Sequence, residues 1–360
     1  MDDTTPKGMD QTDDEVEDED WDDEWEDDEA DEWDEEGDEG EEGEDDAEDW
    51  DAAAVDLLPP EVPAGFRSGY VAVIGRPNVG KSTLVNAYVG QKVAIVSPKP
   101  QTTRRRILGV RTEPMSQIVF VDTPGIHQPH TRLGEFMVEA AVTSIPDADV
   151  ILFVVDVSDR PRDDDRHIGQ LLAEQAKAPV VIALNKADLV KPQHLQQNFD
   201  AYLALAPEAD YMLVSAQRGD NLDKLLDLVS QHLPEGPLYF PPDQVTDQSE
   251  QAMVAELVRE AVLHLTEAEV PHSVAVAIEE WVERSERLTY IDAAVYVERQ
   301  SQKAIVIGKR GAMIKQIGAL ARREIEALLE RQVFLELRVK VREEWRRNPT
   351  QLRRFGFTEE

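Results

Sequence analysis

Between residues 69 and 233, short apolar runs alternate with stretches whose apolar residues recur at helical spacing. The runs at 71–74, 118–121, 150–155, 180–184 and 211–214 are continuously apolar, the pattern of strands covered on both faces. Segments 81–89, 166–176 and 222–232 carry the 3.6-residue period between them. This alternation predicts a doubly wound, mainly parallel α/β sheet with ligands at the carboxyl ends of its strands.

The pattern changes after residue 233. Four prolines fall within 234–242, which predicts a stiff linker. A helix is expected over 251–265, strands over 273–282 and 288–298, and a glycine-punctuated helical region over 304–329. In the last strand Val333, Leu335, Leu337, Val339 and Val341 alternate with Glu336, Arg338, Lys340 and Arg342. A second, smaller α+β module is therefore expected over 251–360, joined through 234–250 to an α/β domain over 66–233, with an extension over 1–60.

Charge separates these parts. The chain of 360 residues has a formal net charge of −38, but residues 1–56 hold 33 Asp and Glu against Lys7 alone. The other 304 residues come to −6, and 299–358 carries 15 Lys and Arg against 6 Glu, or +9. The extension lacks aliphatic residues for a core and is expected to be disordered. Composition makes it a solubilising tail; its four tryptophans among carboxylates also suit mimicry of a nucleic-acid strand that occupies the basic end. There is no cysteine, no apolar run long enough to span a bilayer and no apolar leader, so a protein of the reducing cytoplasm is expected.

Gly75-Arg76-Pro77-Asn78-Val79-Gly80-Lys81-Ser82 has the spacing G-x-x-x-x-G-K-[ST], after a predicted strand and at the start of a predicted helix. The glycines permit a tight loop whose N–H groups surround phosphates, and the helix N-terminus favours anions. Thr83 follows on that helix. Lys81 offers a point charge to the β- and γ-phosphates, and the Ser82 hydroxyl a magnesium ligand. Asp122-Thr123-Pro124-Gly125 follows the second strand, where a carboxylate can serve magnesium and the Gly125 N–H the γ-phosphate. Asn185-Lys186-Ala187-Asp188 follows the fourth. A fixed Asp188 accepts from guanine N1–H and the 2-amino group, a pair that adenine lacks. Lys186 would lie along the base and Asn185 would brace the loop. Ser215-Ala216-Gln217 can close the pocket, with the Ala216 N–H on guanine O6. Four such motifs in order, each at a strand end, predict a GTPase rather than an ATP-dependent kinase. His127 and His130 read as a solvated loop pair, not a zinc site.

Together with Gln101-Thr102-Thr103-Arg104, this motif set resembles the Era family of bacterial GTPases from about Gly69 to Phe357. The resemblance implies that Thr102 or Thr103, with preference for Thr103, closes on magnesium and the γ-phosphate beside the catalytic Lys81 and Gly125. Ile126 stands where other GTPases carry a water-orienting glutamine, so slow intrinsic turnover is expected. Asn78 resembles an asparagine that supports potassium binding in related GTPases.

In the second module, Ile305-Val306-Ile307-Gly308-Lys309-Arg310-Gly311 and the following Ile314 fit the KH pattern V-I-G-x-x-G-x-x-I. Glycines between two helices let backbone N–H groups approach a nucleic-acid backbone, with Lys309, Arg310, Lys315, Arg322 and Arg323 supplying charge. A KH cleft takes about four single-stranded nucleotides. The resemblance implies a monomeric GTP/GDP switch that binds the 3′ end of 16S rRNA, with no DNA partner, and acts in small-subunit maturation. The alternative is a signalling GTPase whose basic module docks protein or anionic lipid, with a peripheral membrane pool.

Overall fold

The computed structural model describes residues 62–357, and the acidic extension lies outside them. The first half runs β1 (Arg67–Ile74), α1 (Lys81–Val89), β2 (Ile107–Glu113), β3 (Ser116–Asp122), α2 (Arg132–Val142), β4 (Val150–Asp156), α3 (Asp163–Gln175), β5 (Val180–Asn185), α4 (Pro192–Leu203), β6 (Asp210–Leu213) and α5 (Leu222–His232). Its six-stranded sheet has the order β2-β3-β1-β4-β5-β6, parallel except for the antiparallel β2–β3 pair. The continuous apolar runs are the central strands: every residue of β3 and β4 is buried. β6 departs from that pattern. It is an edge strand, and Tyr211 on it is 48% exposed.

One face of the sheet buries Val73, Phe120 and Leu152 against Leu84 and Leu225 of the helices. The other buries Ile74, Phe153 and Ile182 against Ile168 and Tyr202. Each fully buried aliphatic side chain contributes about 1.5–3 kcal/mol.

The second half comprises α6 (Glu250–Leu265), α7 (Val270–Ser273), β7 (Ala275–Ser285), β8 (Leu288–Val297), α8 (Gln300–Ile307), α9 (Ala312–Leu329), β9 (Gln332–Val341) and α10 (Pro349–Arg354). Its sheet order is β7-β8-β9, with β7 antiparallel and β9 parallel to β8. The residues at 273–274 expected to begin the first strand instead end α7 and lead into it. Val258, Val262, Ile291, Val295, Ile317 and Ile325 form its core.

The proline-rich connection is stitched to the first half rather than looping free. The Ser68 N–H donates to Pro234 O, the Gly236 N–H to Phe66 O and the Val110 N–H to Val245 O. The Gln117 side chain holds Phe240 O and the N–H groups of Tyr239 and Phe240. Gln248 Nε2 then reaches Val93 O.

The halves meet in a mixed apolar cluster. Leu133 and Met137 of α2 pack with Ala294 and Tyr296 of β8 and with Trp345, Phe355 and Phe357 of the C-terminal segment. Phe136 meets Phe357 edge-on with ring centroids 5.6 Å apart. Among the described residues no helix is long and apolar enough to cross a membrane.

Candidate nucleotide site and nucleic-acid interface

The phosphate loop bridges β1 and α1 because two of its positions tolerate no side chain. A Cβ on Gly75 would sit 2.3 Å from Val154 O, and one on Gly80 (φ +102°) 2.3 Å from Asn185 Nδ2. Gly125 is equally confined, with a hypothetical Cβ 2.5 Å from Pro77 N. Pro77, Asn78, Gly80, Lys81, Ser82 and Thr83 line a cleft closed from the other side by Gly125 and residues 95–97 and 101–103. Lys81 Nζ donates to Gly75 O at 3.0 Å and Arg76 O at 3.2 Å. Burial lowers its pKa to about 8, opposed by Asp122. An anion in the cleft would favour the ammonium form.

Three oxygens converge beside Lys81. Ser82 Oγ donates to Asp122 Oδ2 at 2.6 Å, Thr103 Oγ1 does so at 3.2 Å, and the two hydroxyls are 2.8 Å apart. Asp122 is buried, which raises its carboxyl pKa against the opposing Lys81, Ser82 and Thr103 contacts, and its Oδ1 has no hydrogen-bond partner. A carboxylate in that state and two hydroxyls are hard oxygen donors that fit magnesium. Thr102, by contrast, turns its hydroxyl away to Lys99 O at 2.8 Å. The geometry thus separates two adjacent threonines that sequence leaves equivalent.

The motifs expected to read the base assemble at the ends of β5 and β6. Asn185 Nδ2 donates to Val79 O at 2.8 Å and ties that loop to the phosphate loop. Ser215 Oγ donates to Asp188 Oδ1 at 2.7 Å, which fixes the carboxylate. Lys186 (φ +61°) reaches Asn78 O and Asp156 Oδ2, both at 2.7 Å. The Ala216 N–H, which the sequence aims at guanine O6, donates to Asn185 Oδ1 at 2.9 Å. Buried N–H groups take the acceptor within reach, and here Asn185 is nearest.

Several residues of the motifs face elsewhere. The Arg76 guanidinium leaves the cleft for Asp165 Oδ2 at 3.0 Å and Asp156 at 3.8 Å, so only its carbonyl faces Lys81. Val79 is core, Pro124 is buried, and Thr123 Oγ1 donates to Val73 O at 2.7 Å. Ile126 is fully buried among the α2 and β4 side chains and donates its N–H to Gly75 O at 3.3 Å. His127 is engaged with Gly125 O at 2.8 Å and Gln101 at 3.0 Å rather than simply solvated. No cluster of metal-binding His, Cys, Asp and Glu occurs among the described residues.

The segment after the phosphate loop is bound by the second half. Glu260 of α6 accepts from the Val96 N–H at 2.9 Å and from Lys92 Nζ at 2.6 Å, and Lys92 also meets Glu324 of α9 at 3.3 Å. Arg259 of α6 donates to Thr102 O. Arg104, 4% exposed, donates to Val274 O at 2.6 Å and to Pro271 O and His272 O at 3.3 Å. The start of α2 is held too: the Leu133 N–H donates to Arg346 O at 3.0 Å. None of these partners has a local sequence signature.

At the far end, Gly308 (φ +71°, ψ 173°) breaks α8 from α9, and a Cβ there would lie 2.6 Å from Met313 Cβ. Arg310 (φ +55°) and Gly311 (φ +77°) complete the turn. Ile307 is half-buried beneath it, while Lys309, Arg310 and Lys315 are exposed. Arg322 and Arg323 are exposed on α9 but paired with Glu326 and Glu324.

The model of the family described as 50S ribosome-binding GTPase matches residues 70–186, and that of the KH domain residues 269–346. The GTPase Era of Geotalea uraniireducens is 50% identical over 292 residues, covering 81% of this chain and 98% of the relative. Two solved structures, Era with MgGDPNP and nucleotides 1506–1542 of 16S ribosomal RNA and an Aquifex aeolicus Era variant with GDP·AlF4−, are each 42% identical. Each aligns with a TM-score of 0.78 and covers 82% of this chain and 100% of its own. With half of the 292 aligned residues identical along nearly the full length of a curated relative, this chain belongs to the Era family of GTPases.

Proposed function

We propose that the protein is a GTP-driven switch that grips the 3′ end of 16S rRNA during small-subunit biogenesis and releases it according to the state of the bound nucleotide. One observation carries this reading: Thr103 and Arg104 are neighbours with opposite loyalties. Thr103 lies in the oxygen cluster with Ser82 and Asp122, and Arg104 is buried in the carbonyls around α7. A displacement of one residue is transmitted to the other, so a phosphate-dependent loop and the KH module share one mechanical element.

Lys81, Ser82 and the N–H groups of residues 78–82 hold the phosphates, with Gly125 facing the terminal one. Ser82, Thr103 and Asp122 hold magnesium, whose charge offsets that developing on the transferred phosphoryl group. Asp188, held by Ser215, reads guanine, with Lys186 and Ala216 flanking the base. No glutamine orients the attacking water, because Ile126 is committed to the core. Turnover is therefore slow, and the P-loop Asn78 is the residue best placed to assist. Its Nδ2 donates to Pro98 O at 2.9 Å, which leaves its carbonyl oxygen to accept a potassium ion. Asn78→Ala is expected to abolish potassium stimulation of hydrolysis, measured as phosphate release in potassium against sodium; a retained response removes this role.

At the other end, N–H groups around Gly308 and Gly311 with Lys309, Arg310 and Lys315 track the RNA backbone, and Arg322 and Arg323 extend that surface. The direct test is the affinity of the full chain for a single-stranded 3′-terminal 16S rRNA segment with a non-hydrolysable GTP analogue, with GDP and without nucleotide. About tenfold tighter binding with the triphosphate is expected, which corresponds to the usual size of a coupling energy. Equal affinities in all three states overturn the switch.

A further inference from the structure

A cavity of about 210 Å³ lies where residues 104–107 face α6, β7 and the C-terminal segment, apart from the nucleotide cleft. Its lining includes Arg104, Arg105, Arg106 and Arg259 against Glu256 and Asp247, a formal excess of two positive charges. Glu256 is already committed: both of its oxygens accept from Arg259. Although burial opposes its charge, Arg259, Arg104 and Arg105 hold the Glu256 carboxyl below the usual range. Arg104 satisfies its terminal nitrogens only with neutral carbonyls, and its Nε has no partner. Arg259, 2% exposed, likewise has an unpartnered, buried Nη1. Buried guanidinium N–H groups without acceptors are costly, and they come here from both halves of the molecule.

We propose that this cavity is a binding site for free inorganic phosphate, distinct from the nucleotide pocket. A phosphate dianion matches the charge excess, its tetrahedral oxygens suit guanidinium groups arriving from different directions, and the cavity has room for it. Bound there, it lies among the guanidinium groups of Arg104, Arg105 and Arg259 and offsets the repulsion that, after burial itself, most disfavours the Arg104 charge. The site therefore couples phosphate, the product of hydrolysis, to the joint between the segment at 104–107 and the KH module. It does not depend on which RNA the module binds.

The experiment uses the full chain saturated with GDP and magnesium, so that the nucleotide pocket is filled. Inorganic phosphate is titrated at constant ionic strength with chloride as the compensating anion, and binding is followed by calorimetry and ³¹P line broadening. Saturable one-to-one binding is expected. Arg259→Met should weaken it about tenfold, the loss of one charge-assisted contact. Glu256→Gln, which removes the competing carboxylate, should tighten it severalfold, a gain that a purely structural pair would not give. Circular dichroism establishes that each variant is folded, and should Arg259→Met fail to fold, Glu256→Gln alone decides. Absence of saturable binding in the wild-type chain, or binding that Glu256→Gln does not tighten, overturns the site.

Discussion

Asp188→Asn should lower the affinity for GTP by about a thousandfold and make xanthosine triphosphate the preferred nucleotide. The Asp188 side chain is 8% exposed, accepts from Ser215 Oγ at 2.7 Å and has Arg218 Nε at 3.6 Å. A carboxylate so fixed can only accept, and guanine offers two donors on one edge. Xanthine replaces the 2-amino donor by an oxygen, which suits the donor that the asparagine amide introduces. Sites built on such pairing reject the mismatched partner by about 10⁴–10⁵, because a buried polar group is left without its complement. Competition between the two triphosphates for a fluorescent nucleotide measures the exchange of preference. If GTP is still bound within tenfold of wild type and the xanthine nucleotide no better, the base pocket lies elsewhere.

Gly308→Asp should reduce affinity for the single-stranded RNA about a hundredfold while basal GTP hydrolysis stays near wild type. The dihedrals at Gly308 fall in a region that only glycine occupies freely, at a cost of about 1–3 kcal/mol for any other residue. The new Cβ would also meet Met313 Cβ at 2.6 Å. The turn must shift, and a carboxylate is placed where phosphates approach. Gly311 supplies the contrast. Its φ of +77° is left-handed, but nothing lies within 4 Å of a Cβ there. Gly311→Asn, a residue tolerant of that conformation, should retain most of the affinity. Filter binding on both variants, with circular dichroism as a folding check, separates loss of the cradle from loss of the fold. Equal behaviour of the two would contradict the close-approach account.

Sequence made the nucleotide site legible because its motifs are contiguous and each sits at the end of an apolar run. The spacing of Gly75, Gly80, Lys81 and Ser82 is a local property, as is the strand before them. The KH turn was visible for the same reason. Thr102 and Thr103 could not be told apart, since the difference is which hydroxyl meets Asp122, a contact across 19 residues. The ties from Glu260 to Val96 and from Arg104 to Val274 span 164 and 170 residues and leave no periodicity behind. The bond from the Ala216 N–H to Asn185 Oδ1 is hidden in the same way, since the two lie 31 residues apart. The short antiparallel β2 also escaped notice, its apolar residues being too few and too interrupted by Gly109 and Arg111 to register as a run.

The prolines between the halves, seamed along β1, β2 and β3 as far as Gln248, leave almost no slack before α6 begins at Glu250. The half that carries the KH domain is thus on a very short leash. Even when parted from its seat it stays at an effective concentration in the millimolar range. Individually weak contacts are then enough to bring it home, and a modest energetic push is enough to dislodge it.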